Sequence, residues 1–260
     1  MASKKSLNAG NLEALGAARL AALLIEISDG NATAKRRLRL ELAGADGPAE
    51  LAKEIRKRLA TIARSRSFVE WQDVKPLIND LEAQRRAIVD QVASRMPAEG
   101  LDLMWRFLDL GSSVFARADD SDGAISGVFR PAVADLGAIA RVVGPDPKQL
   151  GDQVFGALTQ NDYGQFDQLI QALQPALGPT GLEHLKQRMI ALSVESVPKP
   201  AAKDRKAVGW SSSGPIYADE IAERTRVNTV RWVLQEIADA LAMSIRSSRN
   251  MTSRCGRCRK

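Results

Sequence analysis

Leu51, Ile55, Leu59 and Ile62 recur every three or four residues behind Pro48, and similar spacing returns almost from end to end of the chain. That period sets apolar side chains on one stripe of an α-helix, whereas a half-buried strand alternates every second residue. Leu12, Leu15, Leu20, Leu23, Leu24 and Ile27 predict a helix after an Asn11 cap, stopped by "SDGN". "ATAKRRLRLELAG" predicts the next. Its "RLRLEL" alternates as a strand does, but strong helix formers dominate and Gly44 offers a stop. Pro48 suits the first turn of a third helix.

Phe68 and Trp71 begin a short aromatic connector, and Leu77, Leu81, Ile88, Val89 and Val92 line a further helix. "LDLMWRFLDL" is apolar on most sides, which predicts a central, buried position. Ile125, Val128, Phe129, Val133, Leu136, Ile139 and Val143 mark a long amphipathic helix. Shorter ones are expected over Leu150 to Leu158, Tyr163 to Leu173 and Leu182 to Leu192. Ile221, Val227, Val230, Val233, Leu234, Ile237 and Leu241 predict a last helix from near Tyr217.

The expected fold is therefore all-α, with no convincing strand. It is an irregular stack of antiparallel helical hairpins, α-solenoid or repeat-like in character but without a clean repeat of fixed period. Residues 1–195 form the helical body. Residues 196–215, rich in Pro, Ser, Gly and Lys, read as a flexible loop or linker. Residues 216–241 form a C-terminal helix packed on the body, and 242–260 a basic, disordered tail. Trp210 lies inside the linker and either docks on the body or meets a partner.

Charge separates the tail from the rest. The 260 residues hold 37 basic and 31 acidic side chains. Six of the basic ones (Arg246, Arg249, Arg254, Arg257, Arg259 and Lys260) fall within residues 242–260, where there is no acid. Residues 1–241 thus balance 31 against 31, which argues against high non-specific affinity for a polyanion. Both cysteines, Cys255 and Cys258, also sit in the tail, so no disulfide framework holds the body. The longest apolar run, Leu20 to Ile25, is too short to span a bilayer. The basic start is followed by no cleavable apolar segment, and a cytoplasmic location is expected.

Few residues carry recognisable chemistry. The carboxylates Asp119, Asp120 and Asp122 precede Gly123, as oxygen ligands precede the glycine of a calcium loop. With Gly123 sixth, however, Ala118 and Phe129 occupy the first and twelfth positions, where carboxylates are required. A turn whose acids cap the following helix is the expected role, with a ligand or partner contact as the alternative.

Arg36, Arg37 and Arg39, with Lys53, Arg56, Lys57, Arg58, Arg64 and Arg66, could face phosphates if neighbouring helices bring them together. Stacking aromatics are sparse there, and acidic i,i+4 partners such as Glu54 for Arg58 predict solvated helix faces. His184 is the only histidine and has no nucleophile motif near it, so a solvated helix position is expected. No phosphate-loop, dinucleotide or zinc-protease string occurs. "CGRC" is one cysteine pair where structural zinc takes four ligands, and no metal or cofactor is expected.

"SLNAGNLEALGAARLAALLIEIS", "KRRLRLELAG", "EIRKRLATIARSRSFVEWQDVKPLINDLEAQRRAIV", "ARADDSDGAISGVFRPAVADLGAIA" and "YADEIAERTRVNTVRWVLQEIADAL" together resemble a bacterial family that is a domain of unknown function. The "RKRLATIARSRSFVEW" part is also similar to the helical region that accompanies SWIM zinc-finger modules. The resemblance implies an all-helical, repeat-like body and no assignable activity. It ends at Leu241. One added base after that codon, in a suitable back-translation, turns the tail into the acidic, helix-compatible "ALGDVDPFIAQYDEQVRTVPE", so a frameshifted tail is expected. A stack cut short there would expose an apolar face near Val233 to Leu241 for self-association.

The expected function is a cytosolic helical scaffold that binds an unidentified protein and has no catalytic site. The alternatives are a nucleic-acid-associated protein using residues 35–66, and an enzyme or metal binder using Asp119, Asp120 and Asp122.

Overall fold

The computed structural model describes residues 6–195, 200–201, 204–212 and 214–255, with 243–255 as backbone. The chain is all-α apart from one small hairpin among the described residues. In order come α1 (Ala9–Glu13), α2 (Ala17–Ser28), α3 (Ala32–Asp46), α4 (Pro48–Arg64) and α5 (Trp71–Arg86), which runs on into a π-helical turn over Ala87–Ala93. Then follow α6 (Pro97–Leu108), α7 (Leu110–Phe115), α8 (Ser126–Val143), α9 (Pro147–Leu158) and α10 (Leu169–Val194). The antiparallel strands β1 (Ala207–Ser211) and β2 (Gly214–Tyr217) lead into α11 (Ala218–Cys255).

Local chemistry sets the boundaries. Pro48 and Pro147 open α4 and α9 in their first turns, where a missing N–H costs nothing. Asp146 caps α9 by accepting from the backbone N–H groups of Lys148 and Gln149. The predicted first helix is two helices. Gly16, at φ 78°, breaks it, and Asn8 rather than Asn11 is the cap, accepting from the Asn11 N–H. Gly44 does not stop α3, which continues to Asp46 and ends at Gly47.

One contiguous core runs from Leu40 on α3 to Ala240 on α11. Leu51, Ile55, Leu59 and Ile62 lie in it as the periodicity predicts. So do Leu103, Met104, Phe107 and Leu108 of α6, the central helix expected from "LDLMWRFLDL". Phe107 and Phe115 each pack a ring on Phe129 of α8, at 5.5 and 5.3 Å between centroids. Each fully buried Leu, Ile or Phe contributes roughly 1.5–3 kcal/mol.

Three features depart from the expected organisation. Residues 163–168 form turns, so the helix expected over Tyr163–Leu173 begins only at Leu169, and a break at Gly178 (φ 55°, ψ −173°) within α10 separates it from the helix expected over Leu182–Leu192. Contacts between α9 and α10 advance in the same direction along both: Pro147 lies against Gly181, Gly151 against His184, and Asp152 binds Arg188. The chain between Leu158 and Gly178 returns to make this possible. Finally, the linker carries the hairpin, with Trp210 opposite Pro215.

At the far end α11 runs antiparallel to α10. Arg226 donates to the Leu192 carbonyl at one end, and Gln174 Nε2 donates to the Ala240 carbonyl at 2.8 Å at the other. Val233 and Ile237 are fully buried in this seam, with Val230 and Ala240 beside them. The apolar face expected to be exposed near Val233 to Leu241 is therefore covered, because its stripe seats on α10. Beyond Leu241 the backbone stays helical to Cys255 rather than irregular, since Gly and Pro are absent from 242–255. Cys258 lies outside the described residues.

Candidate functional site

The acidic turn directs its carboxylates at its own backbone. Asp120 accepts from the N–H groups of Ile125 (2.6 Å) and Ser126 (3.0 Å) and from the Ser126 hydroxyl (2.5 Å), closing the start of α8. Asp119 accepts from Ser121 N–H and Asp122 from Ala124 N–H, both at 3.0 Å. Gly123, at φ 71°, supplies the left-handed step of the turn. No group of three or more potential metal ligands occurs among the described residues.

The arginines face acids, mostly across helices. Asp80 of α5 is the centre. It accepts from Arg58 Nε of α4 at 2.8 Å and from the same guanidinium through Nη2. Gln84 Nε2 donates to it at 3.3 Å, and Arg36 Nε of α3 stands 3.5 Å away. Arg36 also donates to Thr33 Oγ1 at 3.0 Å. Arg37 pairs with Glu41 at 2.7 Å, and Arg56 pairs with Glu99 and Asp102 of α6. The expected Glu54–Arg58 pair is absent: Arg58 turns to Asp80 and Glu54 to Lys57. Arg39 is exposed on a shallow cleft of about 460 Å³, whose charged lining alternates Arg39, Lys53 and Lys57 with Asp46, Glu50 and Glu54. No hydrogen bond or ion pair joins the arginines to the acidic turn among the described residues, so these two sets do not make one site.

His184 is half-buried rather than solvated. Its Nε2 lies 2.9 Å from Asp152 Oδ1, and Arg188 binds the same carboxylate while stacking on the Phe155 ring at 4.3 Å. The His184 hydrogen bond, with the charges of His184 and Arg188, holds the Asp152 carboxyl below its ordinary range. This cluster ties α9 to α10.

The groove that the sequence does not announce lies where α11 outruns α10. Ala218, Ala222, Thr225 and Thr229 form a stripe of small side chains on α11. The same face, continued toward the C-terminus, carries the Val233 and Ile237 that bury against α10. On the N-terminal side α10 ends at Val194, so the stripe is left open. Leu192, Val208 and Ile221 wall it, and Asp162 stands at its edge in a predominantly apolar cleft of about 610 Å³. Arg226 is engaged there by the Leu192 carbonyl and by Glu223. Trp210 projects from the adjoining hairpin, 80% exposed, so it does not dock on the body. The small-residue spacing is visible in the sequence, but only the covering helix shows where it opens.

These features define an all-α helical-stack protein with an apolar groove at the start of α11. The chain belongs to a family of unknown function, DUF6880, whose model matches residues 2–242. The tail from 243 onward lies outside that match. No curated protein and no solved structure matches the chain.

Proposed function

We propose that this chain is a cytosolic helical scaffold whose α10–α11 groove receives an amphipathic helix of a partner protein. The observation that carries the reading is the open stripe Ala218, Ala222, Thr225 and Thr229, an N-terminal continuation of the surface that binds α10. A helix laid there continues the packing that α10 begins. Small floor residues allow close approach, and apolar anchors at i, i+4 and i+7 reach Leu192, Val208 and Ile221. The exposed Asp162 favours a basic residue on the partner's edge, and Trp210 supplies an aromatic contact at the rim.

Other readings have less support. The arginines of 35–66 largely meet carboxylates rather than forming a basic face, which weighs against nucleic acid. Asp119, Asp120 and Asp122 are occupied in capping, which weighs against metal or acid–base chemistry. No described helix is long and apolar enough to cross a membrane.

The test is quantitative affinity capture from cells of the source organism, comparing wild type with Ala222→Arg, Trp210→Ala and, as a distant exposed control, Trp71→Ala. A partner retained at high salt by wild type and Trp71→Ala, lost by Ala222→Arg and weakened by Trp210→Ala supports the reading. Capture that ignores Ala222→Arg overturns it.

A further inference from the structure

Arg36 of α3 and Arg58 of α4 converge on one oxygen of one carboxylate. Asp80 Oδ2 accepts from Arg58 through both Nε and Nη2, and Arg36 Nε stands 3.5 Å from the same atom. Arg117, just past α7, adds a third guanidinium. Its carbonyl accepts from the Val69 N–H at 2.8 Å, and its Nη1 donates to the Ser67 carbonyl at 3.3 Å, which fixes it beside the connector between α4 and α5. Burial, and then the charge of Arg58, push the Arg117 pKa below its ordinary value, and no carboxylate acts against them. Among the described residues, Asp80 is the only acid in ion-pair range of Arg36 or Arg58, and Arg117 has none.

Three positive charges against one negative leave a surplus of two on half-buried side chains. The guanidiniums give up water here without gaining acceptors, which is unfavourable. The Nε atoms of Arg36 and Arg117 are enclosed and make no hydrogen bond. Nor, among the described residues, do Nη1 of Arg36, Nη1 of Arg58 or Nη2 of Arg117. Neighbouring cations are balanced: Arg37 by Glu41, Arg56 by Glu99 and Asp102, and Lys57 by Glu54. The surplus is therefore local, and it matches one dianion rather than a chain of phosphates. A phosphoryl group carries about −1.5 to −2 charge at pH 7, with three strong acceptor oxygens that suit the arginine fork. We infer that Arg36, Arg58 and Arg117 bind the phosphoryl group of a small ligand, with Asp80 positioning Arg36 and Arg58.

The experiment is calorimetric titration of the full chain at low salt with inorganic phosphate and, separately, glycerol 3-phosphate. It compares wild type, Arg117→Gln, Arg36→Gln and, as an exposed arginine of the α8–α10 face, Arg141→Gln. Wild type and Arg141→Gln are expected to bind one equivalent, and Arg117→Gln and Arg36→Gln to bind about tenfold to a hundredfold more weakly. Melting temperatures separate ligation from folding. Without phosphate, Arg117→Gln should melt no lower than wild type, because it removes surplus charge; where it does melt lower, Arg36→Gln carries the comparison. At a hundredfold excess over the wild-type Kd, the ligand should raise the wild-type melting temperature by about 5–10 °C and that of either arginine variant by less than half as much. Tighter binding of glycerol 3-phosphate assigns the ligand as a phosphomonoester, and tighter binding of the inorganic ion assigns it as free phosphate; both uphold the site. No binding heat in the millimolar range overturns the inference. So does binding that neither Arg117→Gln nor Arg36→Gln weakens, or that Arg141→Gln weakens equally.

Discussion

Asp80→Ala tests whether the stack of α3, α4 and α5 is held by a desolvated charge network. Asp80 is 6% exposed, and the Arg58 side chain that it binds is 22% exposed. Removing the carboxylate leaves the Arg58 guanidinium largely buried without its counter-charge and takes a partner from Gln84 Nε2. Breaking a buried pair from one side costs about 3–5 kcal/mol, and the partial exposure of Arg58 places this one near 3. At roughly 2–4 °C per kcal/mol for a chain of this size, the melting temperature should fall by about 6–12 °C.

The desolvation argument makes a second demand. Asp80→Leu/Arg58→Met removes the carboxylate and its closest charge together and should lose less than Asp80→Ala, because only Arg36, whose side chain is 33% exposed, is left without its counter-charge. Urea denaturation followed by circular dichroism measures both, with the midpoint shifting and the slope unchanged. A loss under about 1 kcal/mol for Asp80→Ala, the range of surface pairs, would refute the reasoning. Additive losses in the double-mutant cycle would refute it equally.

Gly137→Ala brings a Cβ to 2.4 Å from the Ala172 carbonyl oxygen, so α8 and α10 must part. Stability should fall by about 1–3 kcal/mol, while Gly156→Ala, with nothing within 4 Å, should gain up to about 1 kcal/mol in the same denaturation assay. Asp120→Ala removes the cap of α8 and should cost about 1–2 kcal/mol, with calorimetric titration of Ca²⁺ or Mg²⁺ into wild type giving no binding heat. Glu236 has its pKa raised above 4.5 by burial and by the charges of Asp167 and Asp239, and its Oε2 has no hydrogen-bond partner. The folded state therefore binds more protons than the unfolded state between 4.5 and the raised value, and stability falls as pH rises through that window. Glu236→Gln should raise the melting temperature at pH 7 and leave it unchanged at pH 4, and an equal gain at both would contradict the assignment.

Helical period was legible in the sequence because burial on one face forces it. Leu51, Ile55, Leu59 and Ile62 needed only their spacing to be placed in the core. What the spacing could not show was every break. Two helices are expected on either side of Pro175, Gly178 and Pro179, and Gly178 leaves helical geometry between them at φ 55° and ψ −173°. Gly16 makes a break that the spacing hides, splitting one apolar period into two helices through a positive φ that no periodicity records. The β hairpin lay in a stretch dominated by Pro, Ser and Gly, where two short strands and their turn resemble a linker in composition.

Sites depend on what meets what, and there the sequence is silent for a physical reason. A body balanced at 31 charges of each sign is equally consistent with scattered solvated pairs and with segregated faces. Only packing sends Arg58 to Asp80, 22 residues away, and Arg85 to Asp135, 50 away. The groove has the same character. Ala222 and Thr225 are unremarkable helix residues until α10 ends short of them, and Thr159 and Asp162 come to its edge only because the chain returns beside α11 after α9. On the proposed reading, this arrangement would couple recognition to folding. One face of α11 closes the core at Val233 and Ile237 and opens two turns earlier as the groove floor. A partner helix that held the open end, as proposed, would bind only the conformation in which the closed end is docked, so its occupancy would stabilise the whole stack by RT ln(1 + [L]/Kd), about 2.7 kcal/mol at a hundredfold excess over Kd.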